Sequence, residues 1–578
     1  MVIKPFLRTK AVITSRLNKY SKRVSDNPNL KLAELCKEGW LKEALHILLT
    51  SHKLTVNSST YLQLLQTCIS NKTLSVGRHI HSHINERGIK LSGHKLLQDT
   101  LIRMYDHCGS LVDARGVFDK MTERDILSWN AIIAAYRRKG YPQEALTLFH
   151  QMQATGVQPD QFTFSSILQA YAKIRALEQG MCIHQRIIGR GFLSDVVVAS
   201  ALIDMYTKCG SIDTARQLFD KMSQRDVISW NAMIAGYAQN AVLDKALNLF
   251  KEVPRRDTFS WNAMIAGYAQ IGDLNQALKI FKEMPRPDVV SWNALIAGYT
   301  QNGFAEKALE TFNQMQYAGI KPDATTFSSV LPACAKMGAL KQGVYIHQCI
   351  VENGFLLNVI VASALVDMYA KCGSIQKAHE LFNKMPQKNV VSWSAIIAGY
   401  AQNGFCKAAL KLFELMRQSG TYPNHVSFAC VLLACSHAGL VDEGCKYFNG
   451  MSEQCITPTT DHYVCLADLL ARAGYLEQTL NFIIKMPIKP VVVVWASLLG
   501  ACRTHKNIQL GVFTATVLFE LDPKNSAAYV LLSNIYAEVG RWGEVTDRTH
   551  RHMRFMQCWT NCLGRLRRQG AFQIQRRN

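Results

Sequence analysis

The side chains of this 578-residue chain that could carry out chemistry are its 17 histidines and 17 cysteines, and their spacing decides what they can do. A zinc-bound water that attacks a nucleobase needs thiolate and histidine ligands and a glutamate to move the proton, in the pattern H-x-E with P-C-x-x-C. None of the 17 histidines has glutamate two places later, and no two cysteines are spaced C-x-x-C, Cys558 and Cys562 being the nearest pair. His379-Glu380 lacks the second histidine of a zinc-protease helix, and no G-x-x-x-x-G-K-[ST] phosphate loop occurs. His79, His81, His83, His550, His552 and Cys558 share no complete ligand spacing and read as packing or surface residues. The sequence predicts no catalytic residue, no metal and no cofactor.

What remains is binding. The formal net charge is +22, which favours a polyanion, nucleic acid first; a basic protein with no such partner is the plainer alternative. The apolar run from Val491 to Trp495 is broken by Ser497 and Arg503, short of the roughly 18 residues a membrane-spanning helix needs. Unpaired cysteines without a secretory leader point to a reducing compartment. Residues 1–24 carry Lys4, Arg8, Lys10, Arg16, Lys19, Lys22 and Arg23 with no acid, as organellar transit peptides do, although a frayed basic terminus has the same composition.

The chain repeats itself. ILSWNAIIAAY from Ile126 returns as VISWNAMIAGYAQ from Val227, TFSWNAMIAGYAQ from Thr258, VVSWNALIAGYTQ from Val289 and VVSWSAIIAGYAQ from Val390. SALIDMYTKCGSI from Ser200 returns as SALVDMYAKCGSI from Ser363. The boundaries give units 126–160, 161–195, 196–226, 227–257, 258–288, 289–323, 324–358, 359–389 and 390–424, each 31 or 35 residues long. In 289–323, Leu295, Ile296 and Tyr299 share one helical face, Gly303 stops that helix, and Ala308, Phe312 and Met315 line a second helix ending near Gly319. Each unit is a helix hairpin that cannot bury its apolar stripe alone, so an all-α solenoid of stacked hairpins is expected. Cys108, Cys209 and Cys372 share one place in three units and read as small buried core.

These phrases resemble the pentatricopeptide repeat family, and the 31/35 alternation resembles its plant organellar subclass with P, L and S repeats. A tetratricopeptide array would keep a 34-residue period. Looser copies at 25–57, 58–94, 95–125, 425–459 and 460–490 extend the array over 25–490. The resemblance places a base-reading polar group at the fifth residue of a repeat, its partner at the last, and a base-packing side chain at the second. The second residues are Leu127, Ile228, Phe259, Val290 and Val391 where the phrase is clearest. The pairs are Asn130 with Asp160, Ser200 with Asp226, Asn231 with Asp257, Asn262 with Asp288, Asn293 with Asp323, Ser363 with Asn389, and Ser394 with Asn424. Helix capping and turns account for such residues singly, but capping does not require the two ends to covary over seven repeats. The family's correspondence takes Asn with Asp as U, Ser with Asp as G and Ser with Asn as A, with Ser165 and Ser328 poorly decoded. It implies the target 5′-U-N-G-U-U-U-N-A-A-3′.

VVVVWASLLGACRTHKNIQLG from Val491 and SAAYVLLSNIYAEVGRWGEV from Ser526 resemble the E1 and E2 motifs of plant RNA-editing factors, which assigns 491–556 to two further helical repeats. That resemblance implies a site-recognition factor for C-to-U editing of single-stranded organellar RNA. A DYW-type deaminase and multiple organellar RNA editing factors would act in trans. The mitochondrion is preferred to the chloroplast. Splicing, transcript stability or translation is the alternative RNA role, and a protein-binding scaffold the alternative of another class. After about Thr546 the resemblance fails, and residues 557–578 form a divergent basic tail, the mark expected of a truncation, frameshift or gene-model error.

Overall fold

The structure, a computed structural model, describes residues 28–538 except 39, 51–55, 88–93 and 524. Segment 1–24, expected from its composition to be a transit peptide, most of the second E-like segment beyond residue 538 and the basic tail lie outside the described residues. Thirty-one α-helices and one short 3-10 turn, Phe192–Ser194, follow one another, with no strand among the described residues.

Local signals account for the hairpins. Ahead of the helix Val289–Gln301, Asp288 Oδ1 accepts the Ser291 N–H at 2.9 Å, and Ser291 Oγ accepts the Asp288 N–H at 3.0 Å. This reciprocal cap satisfies backbone donors the first turn leaves unpaired. Gly303 then turns the chain at φ +86°, a conformation that costs glycine nothing. The second helix, Ala305–Tyr317, buries Ala308, Phe312 and Met315, and the first buries Leu295, Ile296 and Tyr299.

The two repeat lengths differ in the second helix. It has 10 residues in Ile212–Lys221, Leu243–Glu252, Leu274–Glu283 and Ile375–Lys384, and 13 in Pro142–Ala154, Leu177–Gly189, Ala305–Tyr317, Leu340–Glu352 and Cys406–Gln418. The first helices of the same units keep 13 or 14 residues. The face built by first helices is thus insulated from repeat length.

Contacts divide the chain into two units, residues 1–286 and 287–578. In the first, the helix Val196–Lys208 packs against Gln161–Ile174 on one side and Val227–Gln239 on the other; in the second, Val359–Lys371 packs between Ala324–Met337 and Val390–Gln402. Each unit is therefore an α-solenoid with a layer of first helices and a layer of second helices. Its seams are aromatic. Phe118 meets Trp129 edge to face with ring centroids 4.8 Å apart, as do Phe219 and Trp230 at 4.9 Å, Phe250 and Trp261 at 4.8 Å, and Phe382 and Trp393 at 4.7 Å. The tryptophan of the repeated SWN phrase is thus an inter-repeat wedge. Helices Val492–Thr504, Ile508–Leu521 and Ser526–Glu538 continue the second unit around Trp495, Leu498, Leu518 and Ile535.

Cys108, Cys209 and Cys372 depart from expectation. They are half-buried residues that end their helices rather than core, and the Cys108 and Cys372 thiols reach back to the Cys68 and Cys334 carbonyls of the preceding hairpin. No helix among the described residues is long and apolar enough to cross a membrane.

Candidate nucleic-acid interface

The last residue of each repeat is the N-cap of the next repeat's first helix. Asp160, Asp226, Asp257, Asp323, Asn389 and Asn424 each accept a backbone N–H from the residue three places on. Capping leaves acceptor capacity over, because a carboxylate has about four lone-pair directions. Asn130 Nδ2 donates to both Asp160 oxygens, at 3.0 and 3.1 Å, while Asp160 Oδ1 also caps Thr163 at 2.9 Å. Asn231 Nδ2 donates to Asp257 Oδ2 at 2.8 Å, Asn293 Nδ2 to Asp323 Oδ1 at 3.0 Å, and Ser200 Oγ to Asp226 Oδ1 at 3.2 Å. Capping and pairing are thus two uses of one side chain, and the fifth residues themselves lie inside their helices rather than at a cap.

The Ser–Asn pairs behave differently. Ser363 Oγ turns back to the Val359 carbonyl at 2.6 Å, while Asn389 Oδ1 caps Ser392 at 2.9 Å. Ser394 reaches Asn424 only through Ser427, whose hydroxyl lies 2.9 Å from Ser394 Oγ and 3.1 Å from Asn424 Oδ1. Asn262 belongs to the first unit and Asp288 to the second.

Residues two and five are three apart and share a helix face. The fifth residues are buried or half-buried at the base of that face, whereas Leu127, Ile228, Phe259, Val290 and Val391 are 56 to 63% exposed. The same register holds exposed Leu96, Phe162, Val197, Ile360 and Val426, which the repeat phrase did not single out but counting from the repeat boundary finds. Asn231 Oδ1 is buried and has no partner. A buried acceptor left open costs free energy and calls for an explanation, and an incoming donor is one.

Asp99 is the fifth residue of 95–125, a copy of the repeat too loose for its sequence to mark the position. It is 4% exposed, and its repeat ends in Asp125. Burial first, and then the Asp125 carboxylate, push its carboxyl up to about 6, opposed by Arg103 and Lys95.

Not all the positive charge is free to meet phosphate. Arg124, Arg225 and Arg256 donate Nε–H to the carbonyls of Phe118, Phe219 and Phe250 at 3.2, 3.0 and 2.8 Å and lie over those rings, bracing the seams. Arg255 and Arg286 line an open cavity beside Val227 and Thr258, at the rim of the first-helix face.

Comparison with known proteins agrees with this architecture. A PPR repeat family model matches 124–173, 287–336 and 388–437, and a PPR repeat model matches 197–227, 228–257, 259–288, 360–390 and 426–456. The pentatricopeptide repeat-containing protein At2g13600 of Arabidopsis thaliana is 40% identical over 88% of this chain and 69% of its own length. The chain belongs to the pentatricopeptide repeat family. An E motif model matches 505–556, so the resemblance runs past Thr546 rather than failing there. Two further Arabidopsis pentatricopeptide repeat proteins are At2g03880, mitochondrial, 35% identical over 93% of this chain and 75% of its own length, and At1g11290, chloroplastic, 38% identical over 89% and 56%. The chain thus spans about half to three quarters of these relatives. The crystal structure of the maize pentatricopeptide repeat protein PPR10 shares the fold, with TM-score 0.50 and 17% identity, covering 93% of this chain and 81% of that one.

The histidines of the pentatricopeptide repeats have structural partners. His81 Nδ1 lies 2.8 Å from the Tyr105 hydroxyl, and His184 and His347 lie 2.9 Å from those of Tyr206 and Tyr369. His83 pairs with Tyr61 at 2.9 Å and His79 with the Ser75 carbonyl at 2.7 Å. No group of three metal-binding side chains forms among the described residues; His550, His552 and Cys558 lie outside them.

Proposed function

We propose that this pentatricopeptide repeat protein reads a single-stranded organellar RNA one base per repeat, as a site-recognition factor for C-to-U editing with the deaminase supplied in trans. The observation that carries the reading is the recurrence, at one register, of a polar pair at the foot of an exposed apolar residue. Neighbouring packed helices lie about 8–10 Å apart, room for one base between successive second residues. A base held there meets the fifth residue with its Watson–Crick edge. The PLS subclass, supported by the 31/35 alternation, and the E motif favour editing over other RNA roles. The organellar labels of the relatives favour an organelle.

The proposed target is 5′-U-N-G-U-U-U-N-A-A-3′, the edited C lying about four nucleotides beyond the base read by the last S repeat. The test is binding of the full chain, at one salt concentration, to this RNA and to single-base exchanges. Each correct base is expected to contribute about 1–3 kcal/mol. Preference for the proposed bases, with loss of one C-to-U conversion in plants lacking the protein, supports the reading. Equal binding to every RNA overturns the register, and a splicing or abundance defect with editing intact overturns the editing role.

A further inference from the structure

Asn130 and Asn293 are held at both ends of their amides. Opposite the carboxylate, Asn130 Oδ1 accepts the Thr163 hydroxyl at 2.6 Å, and Asn293 Oδ1 accepts that of Thr326 at 2.6 Å. Thr163 and Thr326 are the third residues of the following repeats, 33 positions downstream. Each hydroxyl also lies within 3.0 Å of the cap carboxylate and accepts the cap's own N–H, at 3.2 and 3.0 Å, so amide, carboxylate and hydroxyl close a triangle. Both threonines are fully buried, and their γ-methyl groups restrict χ1.

Asn231 has the same carboxylate contact but a serine downstream. Ser260 turns its hydroxyl to the Asp257 backbone carbonyl at 2.8 Å, the i−3 bond that a helical hydroxyl can make, and Asn231 Oδ1 is left with no partner. One carboxylate contact is an axis about which an amide plane can tilt. Two contacts on opposite ends fix the plane.

The plane matters because an amide complements both pyrimidines. Uracil offers N3–H to Oδ1 and a carbonyl to Nδ2–H; cytosine offers its amino group to Oδ1 and N3 to Nδ2–H, in a register displaced along the base edge. An amide free to tilt follows the displacement, and a fixed one does not. Resting on the base-reading assignment above, we infer that the third residue of the downstream repeat is a second specificity position: threonine there makes an Asn–Asp repeat discriminate uracil from cytosine, and serine lets the repeat accept both. Repeats 126–160 and 289–323 are the stringent readers, and 227–257 is the permissive one. Thr163 and Thr326 are positioning residues, acting through the asparagine.

The experiment measures, for the full chain, the affinity ratio of U to C at the first, fourth and sixth bases of the target. The ratio is expected to be about fivefold larger at the first and sixth than at the fourth, the effect of one net hydrogen bond. T163V, which keeps the shape and removes the hydroxyl, lowers the ratio at the first base to that of the fourth without changing the sixth. S260T raises the ratio at the fourth. A residue that only capped its helix would lower the thermal midpoint in T163V and weaken both RNAs alike, leaving the ratio unmoved; that result, or equal ratios at all three bases in the unaltered protein, overturns the inference alone. Indifference of the unaltered protein to any base at these places, purines included, removes the base-reading assignment and this inference with it.

Discussion

The repeats 196–226 and 359–389 are near copies, SALIDMYTKCGSI against SALVDMYAKCGSI, each with a 13-residue first helix and a 10-residue second. Their fifth residues, Ser200 and Ser363, are equally buried at 2% exposure. Yet Ser200 donates across the groove to Asp226, 3.2 Å away, whereas Ser363 folds back onto its own helix at Val359. The difference lies in the last residue. Asp226 is a carboxylate, and a charged acceptor draws a hydroxyl more strongly than the neutral Asn389 amide, even though Asp226 Oδ1 also caps Ser229. Where this hydroxyl goes is a competition between acceptors for one proton, decided 26 residues downstream.

The most destructive way to probe this comparison is to remove what the two repeats share. Phe219→Ala and Phe382→Ala each empty a seam against Trp230 or Trp393, and each should cost about 3–5 kcal/mol in thermal or denaturant unfolding. The first should cost more, because Arg225 spans Phe219 with both a hydrogen bond and a ring contact, whereas Lys388 offers Phe382 only the ring contact, 5.2 Å from its centroid. Equal losses would show that the arginine brace adds nothing.

Exchanging the deciding residue comes next. Asn389→Asp should draw Ser363 across the groove and move the base preferred there from A to G, and Asp226→Asn should do the reverse. Each exchange should shift the A-to-G affinity ratio by about 1–3 kcal/mol. An unchanged ratio in both variants would mean that the last residue does not set the base.

A third 31-residue repeat, 95–125, sharpens the role of charge, since Asp99 and Asp125 are both acids. A carboxyl pushed up to about 6 from 3.8 contributes stability in its neutral form that is complete below pH 4 and lost as pH rises through about 6. Asp99→Asn should therefore stabilise the protein at pH 8 by about 1–2 kcal/mol and make no difference at pH 4. A loss of stability at pH 8 would show the ionised pair to be held by something else.

The smallest effect concerns a contact the two near copies have in common, His184 with Tyr206 and His347 with Tyr369. Burial holds both imidazoles below the ordinary 6.5, joined at His347 by the Lys377 charge. Their contribution is present above pH 6.5 and lost as pH falls through the lowered values. Replacing both histidines with glutamine should make the melting temperature fall less between pH 7 and 5. An unaltered decline would place the acid sensitivity elsewhere.

Helix hairpins were legible in the sequence because caps and glycine turns act over three or four residues: Asp288 with Ser291 and Gly303 are enough to bound a helix of 289–323. The register of residues two and five came from the family resemblance, and the exposure of Leu127 and Val391 at that register from the structure. The role of the SWN tryptophan was not legible, because Phe382 meets Trp393 only when two hairpins stack, and neither was Asp99, because 95–125 repeats the phrase only loosely.

What the sequence determined by itself is the repeat and its helices, since these depend on propensity, capping and periodicity within one hairpin. Only the tertiary structure decided where each polar hydrogen goes: Thr163 to Asn130, Ser260 to its own cap, Ser363 back to Val359. The contact of Thr163 with Asn130 joins residues 33 positions apart on neighbouring helices, and its strength depends on burial and on which acceptors compete within 3 Å, neither of which exists until the hairpins have stacked.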